Sequence, residues 1–259
     1  MNTSDEILVA QGVGKQFGGF VALKDVTVSF ARDKLSAIIG PNGAGKSTFF
    51  NVISGAFPAT SGRIHFEGND ITALPPHEYA RRGIAKSFQI TNVFPHLSAH
   101  ENVRVAAQMQ KTRYNLWTPR AGIRELSDEA DALLGRVGIL AKRSAQARDL
   151  AHGEQRCLEI AMALACKPRL LLLDEPTAGM SPEETVKMMD LIVTLAAERT
   201  VILVEHKMKL VMGICERLVV LHHGELLAQG TPDDIRANEE VKRVYLGQGD
   251  PQVRRRGGA

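Results

Sequence analysis

One short stretch constrains this chain more than any other: Gly40, Pro41, Asn42, Gly43, Ala44, Gly45, Lys46, Ser47 and Thr48 satisfy the pattern G-x-x-x-x-G-K-[ST] at every fixed position. With ordinary amino-acid usage, such a match arises by accident in about one chain in a hundred of this length. The flanks narrow the reading further. Leu35 to Ile39 (LSAII) reads as a buried strand, and Ser47 to Ser54 (STFFNVIS) as a helix stopped by Gly55. A strand, a glycine-rich loop and a helix in that order form a phosphate cradle. The glycines let successive backbone N–H groups approach an anion, and the helix start adds about half a positive charge. Lys46 then neutralises the β- and γ-phosphates, and the Ser47 hydroxyl ligates Mg²⁺.

Length and composition set the bounds. A chain of 259 residues, 44% apolar, supports a full core in one large domain, with or without a subdomain. The net charge of +3 is small, and Arg254 to Arg256 is the one basic run, so nucleic acid is neither required nor excluded. The opening MNTSDEILVA lacks the basic start and apolar core of a secretory signal, so the nucleotide site is expected to face the cytoplasm. No apolar run approaches the roughly 20 residues that span a bilayer, so a membrane role requires a separate embedded partner. Cys157, Cys166 and Cys215 are odd in number and widely spaced, which argues against a disulfide framework and structural zinc. They are expected to be small buried side chains in a reducing compartment.

Along the chain, Ile7 to Phe30 reads as an antiparallel hairpin turning at Gly18-Gly19, with Phe17 either stacking on an adenine or filling the hairpin core. A strand from Arg63 to Phe66, a short helix from Pro76 to Gly83 and a strand from Ile84 to Phe88 follow, the last ending on Gln89. From Ile90 the pattern turns helical. Ser98 and Glu101 have capping-box spacing, and Leu126, Ala130, Leu133, Leu134 and Val137 make one apolar face of a helix ending at Gly138. Lys111 to Gly122 reads as a connecting loop. The turn Leu150-Ala151-His152-Gly153-Glu154-Gln155-Arg156 opens a helix with Leu158, Ala161, Leu164 and Ala165 inward. Leu170 to Leu173 is a strand covered on both faces and stops at Asp174-Glu175. Ser181, Pro182 and Glu184 start another helix, Val201 to Val204 is a buried strand ending at Glu205-His206, and a hairpin turns through His222-His223-Gly224. A helix capped by Thr231 follows, and residues 248–259 are expected to be a disordered tail.

In open α/β sheets ligands bind outside the carboxyl ends of the strands. Four such ends carry reactive groups here: the phosphate loop, Gln89, Asp174-Glu175 and His206. Asp174 suits the outer shell of Mg²⁺, and Glu175 can orient or deprotonate an attacking water. His206 can donate to a γ-phosphate during cleavage, and Gln89 can join metal or water to the helical insert.

The ordered set of phosphate loop, Gln89, the LAHGEQR turn, LLLLDE and Glu205-His206 resembles the ATP-binding cassette (ABC) ATPases over Ile7 to Gly247. The resemblance implies a phosphate-loop NTPase domain with a mixed β core, an antiparallel β subdomain and an inserted helical subdomain at about 90–165, all within 1–247. It implies ATP with Mg²⁺ as cofactors, consistent with the absence of an N-K-x-D guanine-reading segment. It also implies a head-to-tail dimer, with itself or a homologous subunit, in which Ala151, His152, Gly153 and Glu154 cover the ATP held by the other copy. Phe17 takes the adenine-stacking place, Gln89 contributes to metal binding and catalysis, Asp174 to metal binding, and Lys46, Glu175 and His206 to catalysis. Ala178 to Ser181 takes the place of the loop that links the two sites. Three departures stand out: Ala151 for the usual serine, His152 where glycine is common, and Ser181 for the usual aspartate.

Within the family, Glu205 to Ile214 and the ending Val241 to Gly247 resemble the ATPase subunit of branched-chain amino acid importers. Urea or amide importers and a lipopolysaccharide-export ATPase share much of this ending. The partners implied are membrane permeases, reached through Gln89 and residues near Asn92 to His96, and indirectly a solute-binding protein; nucleic acid is not expected. The implied location is the cytoplasmic face of the plasma membrane. A soluble ABC protein acting on DNA or ribosomes would carry coiled-coil or basic insertions, or two cassettes, and a non-hydrolysing scaffold would not keep both Glu175 and His206.

Overall fold

The computed structural model describes residues 5–87, 93–111 and 120–246. Gln89, Asn92 and the tail from 248 lie outside the described residues. The chain divides into two compact units, one of residues 1–74 and 202–259 and one of residues 75–201.

The first unit opens with the expected hairpin. β1 (Glu6–Phe17) and β2 (Phe20–Ala31) pair antiparallel, closing at Phe17 opposite Phe20 around a two-residue turn. β3 (Leu35–Ile39) is buried along its whole length, and α1 (Lys46–Ile53) follows the glycine loop. β4 (Ser61–Phe66) and the short β5 (Asn69–Asp70) complete an antiparallel sheet of order β2-β1-β4-β5. Phe49, Phe50, Val52 and Ile53 of α1 are buried, and α1 packs on β1 and β2.

The chain then enters the second unit through α2 (Pro76–Arg81), whose first-turn proline has no N–H to leave unsatisfied. β6 (Ile84–Lys86) is shorter than the strand expected to reach Phe88, which is not among the described residues. α3 (Ala99–Lys111) starts where Ser98 accepts the Glu101 N–H at 3.1 Å; the Glu101 carboxylate turns instead to Arg104. α4 (Arg120–Arg136) begins before the expected end of the 111–122 loop, and residues 112–119 of that stretch lie outside the described residues. Leu126, Ala130, Leu133 and Leu134 of α4, and Val137 just after its end, are buried as the apolar face expected. Two single 3-10 turns lead to α5 (His152–Ala165), which packs against α3, α4 and β6. β7 (Leu170–Asp174) runs parallel to β6, and α6 (Pro182–Ala196) carries a full capping box in which Ser181 and Glu184 exchange hydrogen bonds at 2.9 and 3.2 Å.

Within β8 (Thr200–Val204) the chain returns to the first unit. There α7 (Met208–Ile214), β9 (Arg217–His222), β10 (Glu225–Gly230), α8 (Pro232–Ala237) and α9 (Glu239–Leu246) follow. The first unit's second sheet has the order β10-β9-β3-β8, with β9 parallel to β3 and antiparallel to β10. The β9–β10 turn places His223 and Gly224 at φ 49° and 79°, the doubly left-handed geometry that two-residue hairpins use. Cys215 is buried, but Cys157 and Cys166 are only half-buried, which corrects the uniform burial expected of the three.

Candidate functional site

The first unit holds the phosphate loop, and its glycines are fixed by what lies behind them. A Cβ on Gly40 would stand 2.3 Å from the Leu221 carbonyl oxygen of β9, and one on Gly45 would stand 2.9 Å from Leu23. The loop is therefore laid flat on the β9–β10 hairpin and on β2, an arrangement that also gives the Gly224 N–H to Ala44 O bond. The first internal bond of α1 runs from Phe49 N–H to Gly45 O, so the amides of Ser47 and Thr48 lie ahead of the helical ladder, where helix starts hold anions. Lys46 is buried, with its Nζ donating to Gly40 O at 2.7 Å and Pro41 O at 2.9 Å. This folds the ammonium over the loop that carries the phosphate pattern. Asn42, Gly43 and Ser47 are exposed, so the Ser47 hydroxyl is accessible to a metal.

His206 lies at the end of β8 in this unit. The preceding residue, Glu205, is fully buried, and its N–H donates to Ile38 O of β3 at 3.4 Å. That bond fixes the end of β8 beside the strand that feeds the loop, and it leaves the His206 ring half-exposed. Phe17 does not fill the hairpin core: its ring is 43% exposed. It meets Phe57 edge-on at 5.5 Å, and the Lys15 ammonium, held by Pro58 O at 2.8 Å, lies 4.9 Å from its centroid. An exposed and oriented ring of this kind suits stacking. Tyr245 of α9, which the sequence did not mark, is half-buried with its hydroxyl beside the Gly40 backbone.

The second unit carries the acidic groups. Asp174 ends β7 at 1% exposure, and its buried Oδ1 has no hydrogen-bond partner among the described residues. Burial raises its pKa, and neighbouring Glu175 adds to the rise, while the charges of Lys86 and Arg156 oppose it. Lys86 of β6 is itself pushed down by burial and held up by Asp174. Arg156 forms a buried pair with Glu159 at 2.7 Å. Lys86 and Arg156 were legible only as a charge in an apolar strand and a cation on an inward helix face. Glu175 adopts φ 45°, a left-handed conformation that costs a non-glycine residue on the order of 1 kcal/mol and recurs at functional sites. Within this unit Asp174 and Glu175 are thus placed side by side, one buried and one half-exposed.

The Ala151 to Glu154 turn is the start of α5, as expected. The methyl of Ala151 cannot accept a hydrogen bond, so only the return half of a capping box forms, with Glu154 Oε2 accepting the Ala151 N–H at 2.9 Å. His152 donates from Nε2 to Ala178 O at 3.0 Å, and a Cβ on Gly153 would stand 2.8 Å from Glu184 Oε1. The turn is therefore bound to the 178–184 segment, and its histidine bulk is used in that bond.

Taken unit by unit, the residues suit a nucleotide with a divalent metal: the first unit offers an exposed hydroxyl and a glycine cradle, and the second a buried carboxylate. Among the described residues no group of three or more His, Cys, Asp and Glu forms a metal cage. Mg²⁺ commonly takes one or two protein ligands together with phosphate oxygens, which agrees with that arrangement.

Comparison with known proteins decides the family. The model of the ABC transporter family matches residues 23–178, more than half of the chain. This chain belongs to the ABC transporter family. A second model, for branched-chain amino acid ATP-binding cassette transporters, matches residues 225–251 of this cassette. The cassette is 39% identical over 254 residues to the high-affinity branched-chain amino acid transport ATP-binding protein LivG of Salmonella typhimurium, covering 95% of this chain and 99% of that one. It is 40% identical to BraF of Pseudomonas aeruginosa, described in the same words, over 95% and 99% of the two chains. Among solved structures it is similar to the ADP conformation of MJ1267, an ATP-binding cassette of an ABC transporter. The TM-score there is 0.82 at 30% identity, covering 93% of this chain and 99% of that one. It is also similar to a dimeric, post-hydrolysis ATP-binding cassette bound to ADP and Pi, at TM-score 0.76 and 27% identity, covering 87% and 99%. No helix among the described residues is long and apolar enough to cross a membrane.

Proposed function

We propose that this cassette is the ATPase subunit that drives import of branched-chain amino acids through a separate permease. The end-to-end similarity to LivG and BraF, together with the family match at 225–251, carries the reading. In this role Gly40 to Thr48 hold the triphosphate and Phe17 stacks on adenine. Ser47, Asp174 and Gln89 hold Mg²⁺, which screens phosphate charge. Glu175 orients and deprotonates the attacking water, Lys46 neutralises the phosphates, and His206 donates to the γ-phosphate as charge shifts. Two copies, or this subunit and a homologue, pair head to tail, so that Ala151 to Glu154 of one cover the nucleotide of the other through backbone amides. Closure passes through Gln89 and the adjoining helical subdomain of about 90–165, within the 1–247 domain, to a permease. Phe94 and Leu97, 51% and 38% exposed on a segment that Asn102 ties down through Phe94 and Leu97 backbone atoms, offer an apolar contact for it. The subunit works at the cytoplasmic face of the plasma membrane.

The test joins chemistry to partner. Glu175→Gln should lower the ATPase rate by about 10²- to 10⁴-fold, the usual range for a positioned base, with ATP affinity retained. Retained turnover would move the base elsewhere. Isolation of the native membrane complex should yield a permease and a solute-binding protein carrying a branched-chain amino acid. Recovery with lipopolysaccharide-export permeases, ribosomes or DNA would reject the import reading.

A further inference from the structure

The C-terminal part of the first unit forms an open, groove-like cavity outside the residues assigned to hydrolysis. α7, α8 and α9 line a space of about 860 Å³. Met208 and Met212 of α7, Ile235 of α8, and Val241 and Tyr245 of α9 give it apolar walls. Methionines are unbranched and polarizable, so such walls adapt to a flexible occupant. The volume lies in the roughly 300–1,000 Å³ range of small-molecule sites, which are mostly apolar with a few placed polar groups.

The charge on the rim is of one sign. Lys209, Arg236 and Lys242 line the cavity, and no carboxylate does. Arg236 pairs with Asp233 at 2.9 Å and Lys242 with Glu239 at 2.7 Å, each within one helical turn and largely exposed. Exposed pairs of this kind have little net worth and exchange readily for a better-placed anion. Lys209 is exposed and has no acidic partner among the described residues.

Apolar walls under a cationic rim select an anion with an aliphatic body. We propose that this cavity binds an aliphatic carboxylate, with its chain between Met208 and Met212 and its head group on Lys209, Arg236 and Lys242. The proposal stands independently of the transported solute and of the hydrolytic roles above: of the lining only Tyr245 reaches the phosphate loop, through its hydroxyl beside Gly40, and the residues altered in the test, Lys209 and Met212, have no role there.

Calorimetric titration of the full chain with decanoate, below its micelle concentration, and with decanol tests it. Saturable one-to-one binding of decanoate is expected, with decanol at least tenfold weaker. Lys209→Glu should weaken decanoate at least tenfold and leave decanol unchanged, whereas Met212→Trp should weaken both by filling the chain's place. Circular dichroism and ATP binding check that each variant is folded, and Lys209→Gln supplies the charge test if another variant fails. The proposal is overturned if the full chain shows no saturable decanoate binding or if decanol binds equally well. Decanoate affinity unchanged in the folded Lys209 and Met212 variants would also reject it.

Discussion

Asp174 occupies a costly place for a carboxylate, since it is buried with an oxygen unpartnered among the described residues and its pKa is raised even with Lys86 and Arg156 nearby. The folded state therefore holds the Asp174 proton to higher pH than the unfolded chain does. The stability it contributes is highest below the ordinary carboxylate value and falls as pH rises through the folded-state pKa. Asp174→Asn, which mimics the protonated form, should accordingly raise the melting temperature of nucleotide-free protein at neutral pH. The rise is about 2–4 °C if the relief is of order 1 kcal/mol. The gain should vanish at pH values where Asp174 is protonated in both states, and stabilisation by MgATP should shrink; thermal melts at both pH values read each effect. A carboxylate that weakens the empty protein and serves the loaded one is the pattern of a ligand site. The sequence placed Asp174 at a strand end, but its burial and its cationic neighbours depend on segments far away in the chain.

At the scale of elements, the helix starts were the most legible features because each is settled within four residues. Ser181, Pro182 and Glu184 announced α6, and Thr231 announced α8, where the structure adds a capping box between Thr231 and Asp234. Ser181 thus has a local duty at the position where the family usually has aspartate, another good cap. Ser181→Ala should cost about 0.5–2 kcal/mol, and Ala151→Ser, which supplies α5 with the acceptor it lacks, should gain a similar amount. Urea unfolding of the two variants measures both. Elements with weaker local signals were less legible. α7 lacks a flanking serine-type cap and a long apolar stripe, whereas α9 is capped by Asn238, whose Oδ1 accepts the Glu240 and Val241 N–H groups at 2.9 and 3.0 Å; the sequence reading assigned neither helix. Phe17 is the opposite case: β-period alternation suits either core or surface, and only its place at the turn end of the hairpin, opposite Phe20, exposes it.

For the whole molecule, the decisive expectation is ATP-driven pairing of two cassettes, as one similar solved structure is dimeric. Glu175→Gln with MgATP should elute as a dimer in size-exclusion chromatography with light scattering, and as a monomer without nucleotide. Adding Ala151→Ser should move the equilibrium further toward the dimer by restoring a hydroxyl to the covering turn, and no shift would mean that backbone amides alone carry that contact. The sequence by itself determined the phosphate loop with its strand and helix, the helix caps, the hairpin turns and the order of motifs that marks the family. These are written within a few residues of one another, where backbone conformation and side-chain chemistry act directly. The tertiary structure alone decided that β3 lies between β9 and β8, that Gly40 rests on Leu221, that Asp174 is desolvated beside Lys86, and that α7 to α9 line an open groove. Those facts arise from pairing of segments distant in sequence, where burial and mutual exclusion of side chains, rather than local propensity, select the partner.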